Sequence, residues 1–221
     1  MDIALLGGTG DIGEGLALRW AFHTDHGVVI GSRDAGRAAA KAEEYETELS
    51  SRGLDRTVEG LSNHEASERA DVVVAAVPPE YVAETVESVG DALAGSLLVS
   101  PAVAMDFDAS GAHYARPDAG SVTALAAAAA PEDVPVVGAF HNLAADRLAN
   151  LDVELDLDTL VVGDDDDAKG VVRDLAEGID GLRALDAGGL ANAPEVESVT
   201  PLVINIARNN EGMHDVGVEF K

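Results

Sequence analysis

The chain has 221 residues, 47% of them apolar and only 4% aromatic, so it can bury a real core, one in which alanine and valine dominate. Its 41 Asp and Glu against 14 Lys and Arg give a net charge of −27, which repels nucleic acid and anionic membranes. The absence of cysteine removes disulfide and thiolate chemistry, and no apolar run approaches the ~20 residues of a membrane span.

The first pattern in chain order is "DIALLGGTGDIGEGLALRW". A strand over Asp2–Leu6 runs through Gly8-Thr9-Gly10-Asp11-Ile12-Gly13 into a helix over Asp11–Phe22, whose apolar Ile12, Leu16 and Trp20 share one face. This is a dinucleotide-binding arrangement in its proper context: Gly8 is expected to make the tight turn, Gly10 to admit a pyrophosphate and Gly13 to let helix and strand approach. The helix N-terminus offers free N–H groups and a positive dipole end to phosphate oxygens. The alternative is a glycine-rich turn kept only for packing.

A second strand, Val28–Ile30, ends in "GSRDAGR". A carboxylate after this strand would bind the ribose 2′-hydroxyl of NAD and repel a 2′-phosphate. Here Gly31 leaves room, Ser32 can donate a hydrogen bond, and Arg33 and Arg37 can make charge-assisted bonds to a dianion. The residues therefore point to NADP(H), with Asp34 expected to face solvent or to cap the following helix.

Further strands are expected at Thr57–Gly60, Asp71–Val77, Leu97–Ser100, Pro135–Phe140 and Thr159–Val162, with a last short one over Arg183–Leu185. Helices are expected over Ala35–Arg52, Asn63–Ala70, Pro79–Leu93, Ser121–Ala130, Asp165–Gly178 and Pro194–Asn210, and a loop over Ala104–Gly120. This alternation predicts an α/β fold: a Rossmann-type doubly wound, mostly parallel sheet with a small C-terminal helical part. "DVVVAAVPPE" reads as a central strand stopped by two prolines, its end passing over the nicotinamide side of the cofactor. The run Asp164–Lys169, "DDDDAK", lies where aspartate caps a helix, and we read it as a cap and not as a metal site. The six histidines show no metal-ligand spacing, and neither a Gly-x-Ser-x-Gly elbow nor a Walker A motif occurs. The acids are spread along the chain, and only 3 of the 14 basic residues are lysine, a surface suited to molar salt, where the Debye length falls to about 3 Å. The opening stretch enters a strand with no basic region before it, so a cytoplasmic protein is expected.

Several stretches carry a family resemblance: "ALLGGTGDIGEGLALR", "VVIGSR", "LLVSPAV", "VVGAFHNLAADRLANL", "VVGDDDDAKGVV", "IDGLRALDAGGLANA" and "VESVTPLVINIARNN". Together they resemble the NADPH-dependent reductases of coenzyme F420, the archaeal and actinobacterial F420:NADP oxidoreductases, along nearly the whole chain. The resemblance implies hydride transfer between C4 of the nicotinamide and C5 of an 8-hydroxy-5-deazaflavin, with NADP(H) as cofactor and F420 as small-molecule co-substrate. It implies phosphate contacts at Thr9, Gly10, Asp11 and Ile12, and a 2′-phosphate at Ser32, Arg33 and Arg37, the last being lysine in most relatives. Val77, Tyr81, Val103 and Ala145 would line the nicotinamide half, with Val216 beside them. His141 would orient a ring or stabilise charge on the reduced deazaflavin, or else simply close a strand end by hydrogen bonding. Asn142, Leu143 and Ala144 depart from the family pattern. No catalytic acid, catalytic base or metal ligand is assigned. Residues 1–163 are expected to form the NADP-binding domain and residues 164–221 a smaller α/β part completing the deazaflavin pocket, in a homodimer or homotetramer. A non-catalytic NADPH sensor, or an NADP-dependent reductase of another small substrate, remains the alternative.

Overall fold

The computed structural model describes residues 1–221. Ten strands and nine α-helices alternate along most of the chain. In order they are β1 (Asp2–Leu6), α1 (Asp11–His23), β2 (Gly27–Ser32), α2 (Ala35–Ser51), β3 (Val58–Ser62), α3 (Asn63–Arg69), β4 (Val72–Ala75), α4 (Val82–Val89), β5 (Leu97–Ser100), β6 (Met105–Asp108), β7 (Gly111–Tyr114), α5 (Val122–Ala129), β8 (Val136–Gly138), α6 (Ala145–Ala149), β9 (Leu157–Gly163), α7 (Asp166–Glu177), β10 (Leu182–Asp186), α8 (Ala193–Glu197) and α9 (Val199–Asn209). Eight strands form one sheet in the order β10-β9-β8-β5-β4-β1-β2-β3. From β1 the chain winds outward to β3, then crosses back to β4 on the other side of β1. That reversal is the topological switch point at which such sheets open a crevice.

Alternate residues of the central strands feed two cores. Ile3 and Leu5 pack with Leu16 and Trp20 of α1, Tyr45 and Leu49 of α2 and Leu175 of α7. Ala4 and Leu6 face the other way, against Ala66 of α3, Val82 and Val86 of α4 and Val122 and Ala126 of α5. Both faces of the sheet are thus covered, which explains the continuous apolar runs of β4 and β5. The Trp20 indole N–H donates to the Leu175 carbonyl (2.9 Å), and Phe140 meets the Trp20 ring edge-on at 5.7 Å.

Three features differ from the sequence reading, and a fourth gives the mostly parallel sheet its detail. The expected loop Ala104–Gly120 contains an antiparallel hairpin, β6–β7, paired from Met105↔Tyr114 to Asp108↔Gly111. The stretch Pro79–Leu93 is not one helix, because Pro79–Tyr81 and Gly90–Leu93 are 3₁₀ turns flanking α4. The terminal helix divides into α8 and α9 around Ser198. Finally, β9 pairs antiparallel to β8, so β9 and β10 run opposite to the remaining six strands. Asp34 caps α2, accepting from the Arg37 N–H (3.2 Å), and Asp165 caps α7, accepting from the Ala168 N–H (2.8 Å). No helix is long and apolar enough to cross a membrane.

Candidate active site at the switch point

The turn between β1 and α1 is built by its glycines, though not all as expected. Gly7, with φ of +78°, makes the left-handed turn assigned above to Gly8. Gly8 instead needs to be small: a Cβ there would stand 2.7 Å from a methyl of Ile30. At Gly13 a Cβ would stand 2.7 Å from the Gly8 Cα, so helix and strand do use this position for close approach. The Tyr45 hydroxyl reaches over from α2 and donates to the Gly8 carbonyl (2.8 Å), fixing the loop from outside.

Two cavities open beside this turn and share Gly10, Ala76, Val77 and Pro78 as their common wall. The smaller, about 430 Å³, is lined by Thr9, Ser32, Arg33, Arg37, Asn63, Tyr81 and the α4 residues Glu84, Thr85 and Ser88. The Arg33 guanidinium lies over the Tyr81 ring, 5.8 Å from its centroid. Lys41, Arg52, Arg56 and Arg69 are ion-paired to carboxylates, whereas Arg33 and Arg37 make no salt bridge. In so acidic a chain, two exposed guanidiniums without a carboxylate partner on one cavity have the chemistry to take a phosphate. Tyr81 stands with these arginines, not with Val103 and Ala145 as the family pattern implied. Asn63, which the sequence reading did not single out, has a buried Oδ1 with no hydrogen-bond partner, and a Cβ on Gly31 would sit 2.8 Å from it. Gly31 therefore leaves room for Asn63 as well as for a ligand.

The larger cavity, about 640 Å³, is mostly apolar. Asp11 and Ile12 of α1, Val103 after β5, His141 to Ala145 before and within α6, Thr200 and Val203 of α9, and Val216 line it. All thirteen residues proposed from the sequence thus border one cavity or the other, with Gly10 and Val77 on both. Small side chains, Ala102, Val103, Ala144 and Ala145, form part of its wall, and the volume falls in the ~300–1,000 Å³ range of small-molecule sites.

The walls are held by groups that no local sequence pattern announces. Arg19 of α1 is buried, and its guanidinium donates to the carbonyls of Leu148 (2.8 Å), Arg147 (2.9 Å), Asn150 (2.7 Å) and Val153 (2.8 Å). These bonds dock the five-residue α6, too short to be stable alone, onto α1. Phe140 adopts a left-handed conformation (φ +67°), its N–H bonded to Thr159 Oγ1 (2.9 Å), and so turns the chain into the cavity at His141. The Asn142 amide donates to the Asp158 carbonyl (2.7 Å). Asp158 itself is buried. The Arg183 guanidinium, bonded to it twice at 2.7 Å, holds its carboxyl below the usual range, and the Phe220 N–H also donates to it (2.6 Å). This clasp, with the Asp158 N–H donating to the Val218 carbonyl (2.7 Å), ties residues 218–220 to β9 next to Val216 in the cavity wall.

His141 is 3% exposed, and burial pushes its imidazole down to about 3, so the ring is neutral at physiological pH. Its Nε2 lies 3.3 Å from Thr123 Oγ1, which in turn bonds the buried Glu197 carboxylate at 2.9 Å. His141 is thus a hydrogen-bonded histidine after a strand end, as one of the two readings had it, and it also lines the cavity.

Residues 2–104 match the family described as NADP oxidoreductase coenzyme F420-dependent. An F420-dependent NADP reductase of Methanocaldococcus jannaschii is 40% identical over 209 residues, covering 93% of this chain and 92% of the relative. One from Methanothermobacter thermautotrophicus is 41% identical over 213 residues, covering 95% and 90%. A solved chain from an Arthrobacter species, given as a candidate F420-dependent NADP reductase, superposes with a TM-score of 0.82 over 100% of this chain and 99% of that one, at 23% identity. That likeness speaks for the fold. With some 40% identity over nearly its full extent, this chain belongs to the family of F420-dependent NADP reductases.

Proposed function

We propose that the protein transfers a hydride between NADPH, held across the switch point, and the deazaflavin coenzyme F420, held in the larger cavity. The observation that carries this reading is the pair of cavities meeting at Gly10, Ala76, Val77 and Pro78, one armed with unpaired arginines and the other apolar. In this reading Ser32, Arg33 and Arg37 bind the 2′-phosphate, and Thr9 to Ile12 present backbone N–H groups to the pyrophosphate. Val77 and Gly10 carry the nicotinamide end into the shared wall. Val103, Ala145 and Val216 allow the two rings to approach face to face, at the ~3–3.5 Å that direct transfer needs, while the apolar lining excludes water. Deazaflavin C5 supplies the hydride-accepting chemistry itself, so the chain contributes binding, orientation and electrostatics and no acid, base or nucleophile.

Residues 164–221 act as the part that completes the second pocket, through Thr200, Val203 and the segment at Val216. The protein works in the cytoplasm as a homodimer or homotetramer. The test is optical. NADPH with oxidised F420 should bleach the visible deazaflavin absorbance, with deuterium from one face of 4-labelled NADPH found at C5 and none exchanged with water. NADPH binding without any bleaching would instead favour a nucleotide sensor.

A further inference from the structure

Glu197 is a fully buried carboxylate at the end of α8, far in sequence from the residues it meets. Its Oε2 accepts from the Tyr114 hydroxyl (2.8 Å) and the Val122 N–H (3.0 Å), and its Oε1 from the Thr123 N–H (2.9 Å) and Thr123 Oγ1 (2.9 Å). The carboxylate therefore sits on the N-terminus of the eight-residue α5, where the helix dipole favours it. The Thr123 hydroxyl has one proton and two neighbours that could take it. The carboxylate oxygen is closer than the imidazole Nε2, 2.9 Å against 3.3 Å, and makes the stronger, charge-assisted bond. With its proton committed to Glu197, Thr123 can only accept from His141. Nε2 must then carry the ring proton, which leaves Nδ1 as a bare lone pair.

That Nδ1 is buried and has no hydrogen-bond partner in the protein. An unmet buried polar atom costs about 1–3 kcal/mol and calls for an explanation. The rest of the residue is fixed: the His141 carbonyl accepts from Thr200 Oγ1 (2.8 Å), and the turn at Phe140 sets the entry angle. Gly138 makes room for the linkage, since a Cβ there would lie 2.9 Å from Thr123 Oγ1 and 3.0 Å from His141 Cε1. Of the two cavities at the switch point, only the larger has His141 in its wall.

We propose that Glu197 and Thr123 are positioning residues that lock His141 as the neutral Nε2–H tautomer, so that Nδ1 accepts a hydrogen bond from an N–H or O–H group of the second substrate. The occupant of the cavity rests on the functional reading above, whereas the tautomer lock does not. A histidine set this way selects for a ring that presents a donor, and discriminates against one that presents only acceptors at that edge.

The experiment uses the full chain labelled with ¹⁵N-histidine. Nitrogen shifts of His141 in the wild type should show a protonated, pyrrole-like Nε2 and an unprotonated, pyridine-like Nδ1. Thr123→Val removes the hydroxyl at nearly constant volume and should give mixed tautomers, while Thr123→Ser should restore the wild-type pattern. Adding tail-less 8-hydroxy-5-deazaflavin to the wild type should shift the Nδ1 resonance upfield. In Thr123→Val the KM for the deazaflavin should rise roughly five- to tenfold, as expected for one misplaced hydrogen bond, with the KM for NADPH unchanged. A wild-type spectrum with the proton on Nδ1 would overturn the proposal, and needs no variant to fold. So would a Thr123→Val protein that keeps both the tautomer and the deazaflavin KM. Correct tautomers in a wild type that never turns over deazaflavin would leave the lock standing and overturn the function instead.

Discussion

Replacing His141 with leucine should flatten the acid sensitivity of folding. Burial holds the imidazole at about 3, against 6.5 for an exposed histidine. As pH falls below 6.5 the unfolded chain takes up the proton and the folded chain does not, so this group's stabilising contribution, intact above pH 6.5, drains away towards pH 3. Integrating that difference from pH 7.5 to about pH 4.5 gives a loss of about 2.5 kcal/mol attributable to this one ring, with a ceiling near 1.4 kcal/mol per pH unit. Urea unfolding of wild type and His141→Leu at both pH values measures it, since urea leaves the ionic strength unchanged. His23 and His26, also lowered by burial, lose stability in the same direction, but they are common to both proteins and cancel in the comparison. Asp158 and Asp186, held below the usual carboxylate range by hydrogen bonds from Arg183 and from the Gly188 N–H and Lys169, lose their contribution only at lower pH. Wild type should therefore lose about 2.5 kcal/mol more than His141→Leu over this interval. Equal losses in the two proteins would show that the folded state protonates His141 readily, and the neutral-ring reasoning would fail.

Arg33→Ala should lower kcat/KM for NADPH by roughly ten- to a hundredfold, the loss of one charge-assisted bond to phosphate, with that for NADH nearly unchanged. Steady-state rates with both nucleotides decide it, and equal use of NADPH and NADH by the wild type would refute the 2′-phosphate assignment. Ala145→Leu should push the rings apart and cut turnover on the order of a hundredfold for about 1 Å of displacement, while NADPH binding by fluorescence titration stays within a few-fold. With a net charge of −27, the melting temperature should climb between roughly 0.1 M and 2 M KCl as carboxylate repulsion is screened. A flat or falling curve would contradict that.

The convergence of Thr9, Ser32, Arg33 and Arg37 on one cavity was legible because their elements are local in the chain. The strand, the glycine turn and the helix of β1–α1 occupy twenty-odd consecutive residues, and Ser32, Arg33 and Arg37 follow β2 directly. Apolar runs gave β4 and β5 for the same reason, since a strand covered on both faces has no polar alternation to hide it. The hairpin escaped notice because Met-Asp-Phe-Asp and Gly-Ala-His-Tyr are four-residue strands, mostly exposed on β6, with acids at alternate positions. A strand's residues do not encode its direction, so the reversal at β9 could not be read either. The supports of the second cavity are tertiary throughout. Arg19 meets carbonyls 128 to 134 residues away, and Glu197 reaches Thr123 across 74. Only the fold makes those pairs neighbours.

Because β9 enters antiparallel to β8, the beginning of β9 lies at the same sheet edge as the ends of β1, β4, β5 and β8. The crevice is therefore furnished from two sources that can vary separately. The glycine turn and the residues after β2 line the smaller cavity, whereas the approach to β9, α9 and the segment clasped by Asp158 line the larger, so that on the function proposed above the first serve the nucleotide and the second whatever lies opposite. Selection, natural or in the laboratory, can thus exchange the partner molecule by altering residues 141–156 and 200–216 without disturbing the phosphate anchors. A variant library confined to those two stretches should keep its preference for one dinucleotide while its second substrate drifts. One fold of this kind would then seed reductases of many compounds from a single inherited cofactor cradle.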